Sequence, residues 1–243
     1  MAMIIGLPCY NEQDGLSELI EDIISSCPDA TLFFVDDGST DDSESIISRY
    51  AEMHDNIYLI AHERNMGLGM AMNTILCHAA DTYGDDDVLI TFDSDNTHTP
   101  AIAGPMMNKL IDEKLDVVIA SRYEKGGKEL GLSAIRKLYS RGARVFCTVL
   151  LRIKNVRDYS CGYRAYRVGL LKELMGRYGA QIVENPGFEC MVEIINKCRG
   201  ARIAEYPLVL NYALKKGDSK MRPMKTIRGY FKIAFGRRRG IRA

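Results

Sequence analysis

Apolar residues follow two alternating rhythms through the first 122 positions. Unbroken apolar runs, "MIIGLPCY" (3–10), "TLFFVDDGST" (31–40), "NIYLIAHE" (56–63), "DVLITFD" (87–93) and "DVVIASR" (116–122), read as buried strands. Between them, apolar residues recur at helical spacing. In "NEQDGLSELIEDIISSC" they fall at 16, 19, 20, 23 and 24, and "DDSESIISRYAEM" and "GLGMAMNTILCHAA" complete the set. Asp41 or Asp42 is placed to cap the second of these helices. Strand alternating with helix predicts an α/β fold with a mostly parallel sheet covered on both faces. Ligands of such sheets bind beyond the carboxyl ends of the strands.

The rhythm changes after residue 122. Residues 131–157 carry seven basic residues and no acid, interleaved with Leu, Ile, Val, Phe and Tyr, which reads as one or two basic amphipathic helices. "NPGFECMVEIINKCRG" (185–200) predicts a helix after a Pro-Gly turn, and "RIAEYPLVL" (202–210) a late strand. The end, 213–243, is a basic segment with Phe231, Ile233 and Phe235 among its charges.

Charge sharpens this division. The 243 residues sum to zero net charge, but residues 1–100 hold 20 acids against Arg49 and Arg64. Residues 101–212 hold 19 basic and 11 acidic residues, and 213–243 hold 11 basic residues and one acid, Asp218. The acidic end suits a cation, and the basic end an anion such as a diphosphate or a lipid headgroup surface. The same acidic first hundred residues argue against nucleic acid as the main partner. No apolar run reaches membrane-spanning length, and no secretory signal is read at the N-terminus. Seven cysteines without a Cys-x-x-Cys pair fit a reducing cytoplasm.

The fourth strand ends on Asp93 and Asp95. A carboxylate pair at i and i+2 is also common turn and cap chemistry. Read as a site, it would hold Mg²⁺ or Mn²⁺, which take one or two protein carboxylates and fill their remaining positions with phosphate oxygens and water.

Its companions are "LPCYNE" (7–12), "FVDDGSTD" (34–41), "RNMGLGMAMN" (64–73), "FDSDNTH" (92–98), "ASRY" (120–123), "DYSCGYR" (158–164), "GFECMVE" (187–193) and "GDSKM" (217–221). In order and spacing they resemble the family 2 nucleotide-sugar glycosyltransferases, over residues 3 to about 222. The polyprenyl-phosphate branch, the dolichyl-phosphate mannose synthase type, looks closest.

The resemblance implies a GT-A fold over 1–212, with a nucleotide-binding half to about 122, an acceptor half over 123–212, and 213–243 as a basic C-terminal segment. It implies a nucleotide-diphosphate-sugar donor, a divalent metal and inversion at the anomeric carbon. Pro8, Tyr10, Glu12, Asp36 and Asp37 would line the base and ribose pocket. Gly67 and Gly69 would lie close to the nucleotide. Asp93 and Asp95 would be the metal ligands, with Ser94 beside the donor and Ser219 and Lys220 approaching its diphosphate. Arg122 would face phosphate, and Arg136, Arg141, Cys161 and Gly162 would line the acceptor. The sequence departs from the branch at Ser94, Asn96 and Thr97, at Cys161-Gly162-Tyr163, and at Leu214, where the branch often has Arg.

The acceptor decides whether a base is needed. A phosphate monoester, with its second pKa near 6, is already nucleophilic at neutral pH. A sugar hydroxyl needs a carboxylate base, and Asp158, Glu189 and Glu193 are the candidates. The basic amphipathic stretch favours a lipid phosphate and peripheral attachment to the cytoplasmic face of a membrane. The alternatives are transfer to a saccharide hydroxyl, or a non-catalytic nucleotide-sugar-binding protein. A nicotinamide dehydrogenase fits poorly, because "GLGMAM" has Met72 at the third glycine position and follows the third strand. A homo-oligomer stays open.

Overall fold

A computed structural model describes residues 1–131, 134–214 and 223–235, and their side chains except those of 134–141, 143, 214, 223–225, 227, 234 and 235. Nine strands and eight α-helices are described among these residues: β1 Met3–Cys9, α1 Gln13–Ser26, β2 Thr31–Asp36, α2 Ser43–Met53, β3 Ile57–Ala61, α3 Leu68–Thr82, β4 Val88–Thr91, α4 Ala103–Asp112, β5 Val117–Ser121, β6 Lys128–Leu130, α5 Ala134–Leu151, β7 Arg164–Arg167, α6 Val168–Tyr178, α7 Cys190–Lys197, β8 Ile203–Pro207, β9 Val209–Asn211 and α8 Pro223–Phe235. Seven strands form the central sheet in the order β3-β2-β1-β4-β7-β5-β8. The β1–β2, β1–β4, β2–β3 and β5–β8 pairings are parallel, whereas β7 runs antiparallel to β4 and β5. β6 and β9 form a separate two-stranded sheet.

The five apolar runs of the first half are all strands; Ile4, Ile5, Leu7, Phe33, Phe34, Leu89, Ile90, Val118 and Ile119 are buried on both sheet faces of four of them, whereas β3 is an edge strand that exposes Tyr58. Sequence periodicity did not flag α4, β6, β7 or α6. β7 is hidden by its charges. Arg164 is fully buried, donating to the Tyr159 carbonyl and the Tyr166 hydroxyl, and Arg167 pairs with Asp116. The expected late strand at 202–210 divides: β8 extends the main sheet, and beyond Leu208 the chain joins β6. Asp42 is the N-cap residue of α2, but the side-chain oxygen near that end belongs to Asp41, which accepts the Ser43 N–H at 3.0 Å.

Two glycines mark where α3 meets a neighbouring loop. Gly67, at φ 93°, begins the helix, and the Gly69 N–H donates to the Pro186 carbonyl at 2.9 Å. A Cβ on Gly69 would come within 2.8 Å of the Asn185 carbonyl carbon and 2.9 Å of Pro186 Cα. Both contacts are with backbone, which cannot swing aside as a side chain can. Gly69→Ala should therefore destabilise the fold by roughly 1–3 kcal/mol, read as a lower urea midpoint at unchanged slope.

Candidate active site

The site grows from the carboxyl ends of β2, β1 and β4, which are neighbours in the sheet. β4 stops at Thr91, and the chain then turns through Asp93, Ser94 and Asp95. Two bonds pin this turn to the β1 side: Ser94 Oγ donates to the Pro8 carbonyl at 2.9 Å, and Asn96 Nδ2 to the Gly15 carbonyl at 3.0 Å. Asn96 takes φ 60°, a left-handed conformation that Asn tolerates better than most residues. Asp95 Oδ1 accepts from Thr97 N at 3.2 Å and from Thr97 Oγ1 at 2.6 Å.

This geometry gathers Asp93, Asp95 and His98, whose ligand atoms lie within 4.8 Å of one another. His98 is buried and meets the Tyr163 ring edge-on, with centroids 5.5 Å apart. Two carboxylates and an imidazole are a chemically sound donor set for a divalent cation. His98 was absent from the expected ligands, though its place three residues after Asp95 was visible. A Cβ on Gly162 would stand 3.2 Å from Asp93 Oδ1, so glycine leaves this carboxylate its room.

Asp36 and Asp37 end β2 side by side but differ in surroundings. Asp36 accepts from Ser39 N at 2.9 Å and also from Ser39 Oγ. Asp37 holds the approach to α3: it accepts from Met66 N at 3.0 Å, Gly67 N at 2.7 Å and His62 Nδ1 at 2.8 Å. Gly67 and Gly69 are in turn packed against the Asn185–Pro186 backbone. The closeness that requires glycine at these two positions is therefore to the chain itself. Tyr10 and Glu12 are half-buried in the turn after β1, with the Glu12 N–H donated to Ser43 Oγ at 2.8 Å.

Arg122 follows β5, and its side chain is buried in an ion-pair cluster. Nε and Nη2 donate to Asp158 at 2.7 Å each, Nη2 also to Ser160 Oγ at 2.9 Å, and Nη1 lies 3.2 Å from Glu129 Oε1. Four of the five guanidinium N–H groups are thus engaged. Burial alone would push the Asp158 carboxyl up, but the Arg122 charge and hydrogen bonds outweigh it and hold the carboxyl below its ordinary value. Burial is the main cause pushing the Tyr212 phenol up to about 12. Nothing in the sequence had marked Tyr212.

A family description, "Glycosyl transferase family 2", matches residues 4–175. The chain belongs to glycosyl transferase family 2. It is 26% identical over 241 residues to the polyprenol monophosphomannose synthase of Mycolicibacterium smegmatis, covering 95% of this chain and 85% of that protein. It is 29% identical over 240 residues to the dolichol-phosphate mannosyltransferase of Pyrococcus furiosus, covering 96% of this chain and 62% of that protein. In fold it is similar to glucosyl-3-phosphoglycerate synthase from Mycobacterium tuberculosis, solved with Mn²⁺, uridine diphosphate and glucosyl-3-phosphoglycerate. That match has a TM-score of 0.68 at 18% identity, over 96% of this chain and 77% of the other.

In this family 2 glycosyltransferase the three carboxylates weighed as general bases have different fates. Asp158 is clamped by Arg122. Glu193 on α7 accepts from Glu184 N, Asn185 N and Asn185 Nδ2 at 2.7–3.0 Å and pairs with Lys197 Nζ at 2.7 Å, so it is the post that holds the Asn185–Pro186 loop on Gly69. Glu189 is buried beneath α8, where a Cβ on Gly229 would fall 2.6 Å from its Cγ. Cys161 is buried, its thiol pushed up to about 12 by desolvation, and its N–H donates to Asp158 Oδ1 at 3.2 Å. Arg136 and Arg141 lie on α5, but their side chains are outside the described residues, as are Ser219 and Lys220 altogether.

Proposed function

We propose that this glycosyltransferase moves a hexose from a nucleotide-diphosphate sugar to a polyprenyl phosphate at a membrane surface. The observation that carries the acceptor assignment is the fate of the candidate bases. Asp158 and Glu193 are both committed to holding the chain and Glu189 is buried beneath α8, so all three carboxylates are poorly placed to take a proton from a sugar hydroxyl. A phosphate acceptor needs no base; it needs a cation to orient it, and Arg122, held in place by Asp158, would be that cation. The two mannosyltransferase relatives, named for polyprenol and dolichol phosphate, agree with this reading.

Asp93, Asp95 and His98 would hold the metal, and an imidazole among the donors favours Mn²⁺ over Mg²⁺. The metal, when bound, would neutralise charge developing on the leaving diphosphate. Asp36, Pro8 and Tyr10 would bind the nucleoside, and Ser94 would stand beside the donor. No helix among the described residues is long and apolar enough to cross a membrane. α5 and α8 instead expose Val145, Val149 and Phe231, with Arg152, Arg228 and Lys232 also exposed, a combination suited to an anionic bilayer surface.

The test is a thermal-shift panel of GDP, UDP and their sugars, each with Mn²⁺, Mg²⁺ or chelator. A ligand that binds only the folded protein raises its Tm. One nucleotide is expected to stabilise the protein in a Mn²⁺-dependent way, after which transfer to polyprenyl phosphate is assayed with that donor. Stabilisation by none of them would overturn the donor site, and transfer to a free saccharide instead would overturn the acceptor.

A further inference from the structure

Glu205 belongs to none of the groups considered above. It lies on β8, in register with Ile119 of the neighbouring β5, and is buried. Oε1 accepts two successive backbone N–H groups, Arg157 at 2.6 Å and Asp158 at 2.7 Å. Oε2 is buried with no hydrogen-bond partner among the described residues. Desolvation raises its carboxyl above the ordinary value, although both N–H groups and the Ser121 side chain favour the charged form. An ionisable group in so costly a position, spending one oxygen on two successive backbone N–H groups, marks a demand for placement.

What it places is Asp158. The Asp158 side chain accepts from Arg122 N at 3.2 Å, Arg122 Nε at 2.7 Å, Arg122 Nη2 at 2.7 Å and Cys161 N at 3.2 Å. The orientation of its carboxylate is set by those four donors. Its backbone N–H, with that of Arg157, is held by Glu205. A shift of the 157–158 segment would carry the Arg122 guanidinium with it, since the pair is bidentate and buried.

We propose that Glu205 is a positioning residue for the transfer reaction, holding the Asp158 backbone so that Asp158 fixes Arg122 at the acceptor phosphate. This rests on the reading of Arg122 as a phosphate partner. Glu205 never touches substrate; it acts through Asp158.

The test is a double-mutant cycle of Glu205→Leu and Arg122→Ala, with Glu205→Gln as the conservative variant. Transfer is measured from GDP-mannose to a polyprenyl phosphate in detergent, or from whichever donor the thermal-shift panel selects. Misplacement of a positioning group by about 1 Å can cost on the order of a hundredfold. Glu205→Leu should lower kcat at least ~10-fold with donor KM unchanged. Glu205→Gln, whose amide oxygen can accept the same two N–H groups, should recover most of that loss. In the Arg122→Ala background Glu205→Leu should have no further effect, because residues acting as one unit are not additive. Wild-type kcat in Glu205→Leu, or losses that simply add to those of Arg122→Ala, would overturn the proposal. If Glu205→Leu does not fold, Glu205→Asp, which keeps the charge and withdraws the oxygen by one methylene, takes its place under the same criteria. Full activity in Arg122→Ala would remove the reading of Arg122 itself, a failure distinct from additivity between two damaging substitutions.

Discussion

Asp95→Asn should reduce sugar transfer by about a thousandfold, at the upper end of what loss of one electrostatic stabiliser costs an enzyme, and leave the fold intact. The fold should survive because Asp95 Oδ1 accepts from Thr97 N and Thr97 Oγ1, which an asparagine carbonyl can also do. What disappears is one of two negative charges facing the shared space with His98. A neutral amide is a much weaker partner for a hard dication. Two measurements separate these effects. Tm without ligand should match the wild type, whereas the Mn²⁺-dependent part of the nucleotide-induced Tm shift should vanish together with transfer. Unchanged transfer would remove Asp95 from the metal site. A lowered ligand-free Tm would show that its bonds to Thr97 need the charge.

Asp158→Ala should have the largest effect on stability, about 3–5 kcal/mol, because it removes one partner of a buried pair and leaves Arg122 desolvated. Glu129 remains, but as a single contact at 3.2 Å in place of a bidentate pair. For a domain of this size the loss corresponds to roughly 6–20 °C in Tm. The pH dependence follows from the depressed Asp158 carboxyl. A group whose folded value is lowered contributes stability that is present above its unfolded value, about 3.9 for Asp. That contribution is lost as the pH falls through the folded value. The gap between wild type and Asp158→Ala, measured by urea unfolding, should therefore be constant at neutral pH and narrow only on strong acidification. A gap that narrows between pH 8 and 6 would contradict the ion-pair account.

The sequence by itself determined the sheet of the first half and which carboxylates stand at its strand ends. Strands buried on both faces must be continuous apolar runs, and the carboxylates that interrupt such runs must lie at a strand end. Asp36, Asp93 and Asp95 were legible for that reason, and the surrounding motifs pointed to family 2. The amphipathic character of α5 was equally plain, since a helix period survives any tertiary arrangement. Partnership was not legible. The partners that hold Arg122, Asp158 and Glu129, stand 36 and 7 positions away, and charge in a sequence does not reveal which opposite charge it will meet. Gly67 and Gly69, read as nucleotide neighbours, are glycines because the backbone of Asn185 and Pro186 rests on them. β7 escaped because Arg164 is buried by contacts with Tyr159 and Tyr166 that only the folded chain brings together. Glu205 bonds the backbone of Arg157 and Asp158, 48 and 47 positions away, which no local pattern records. Local patterns record which face of an element must leave water. Which side chains then share a dry space, and which of them remain for a ligand, is settled by tertiary packing.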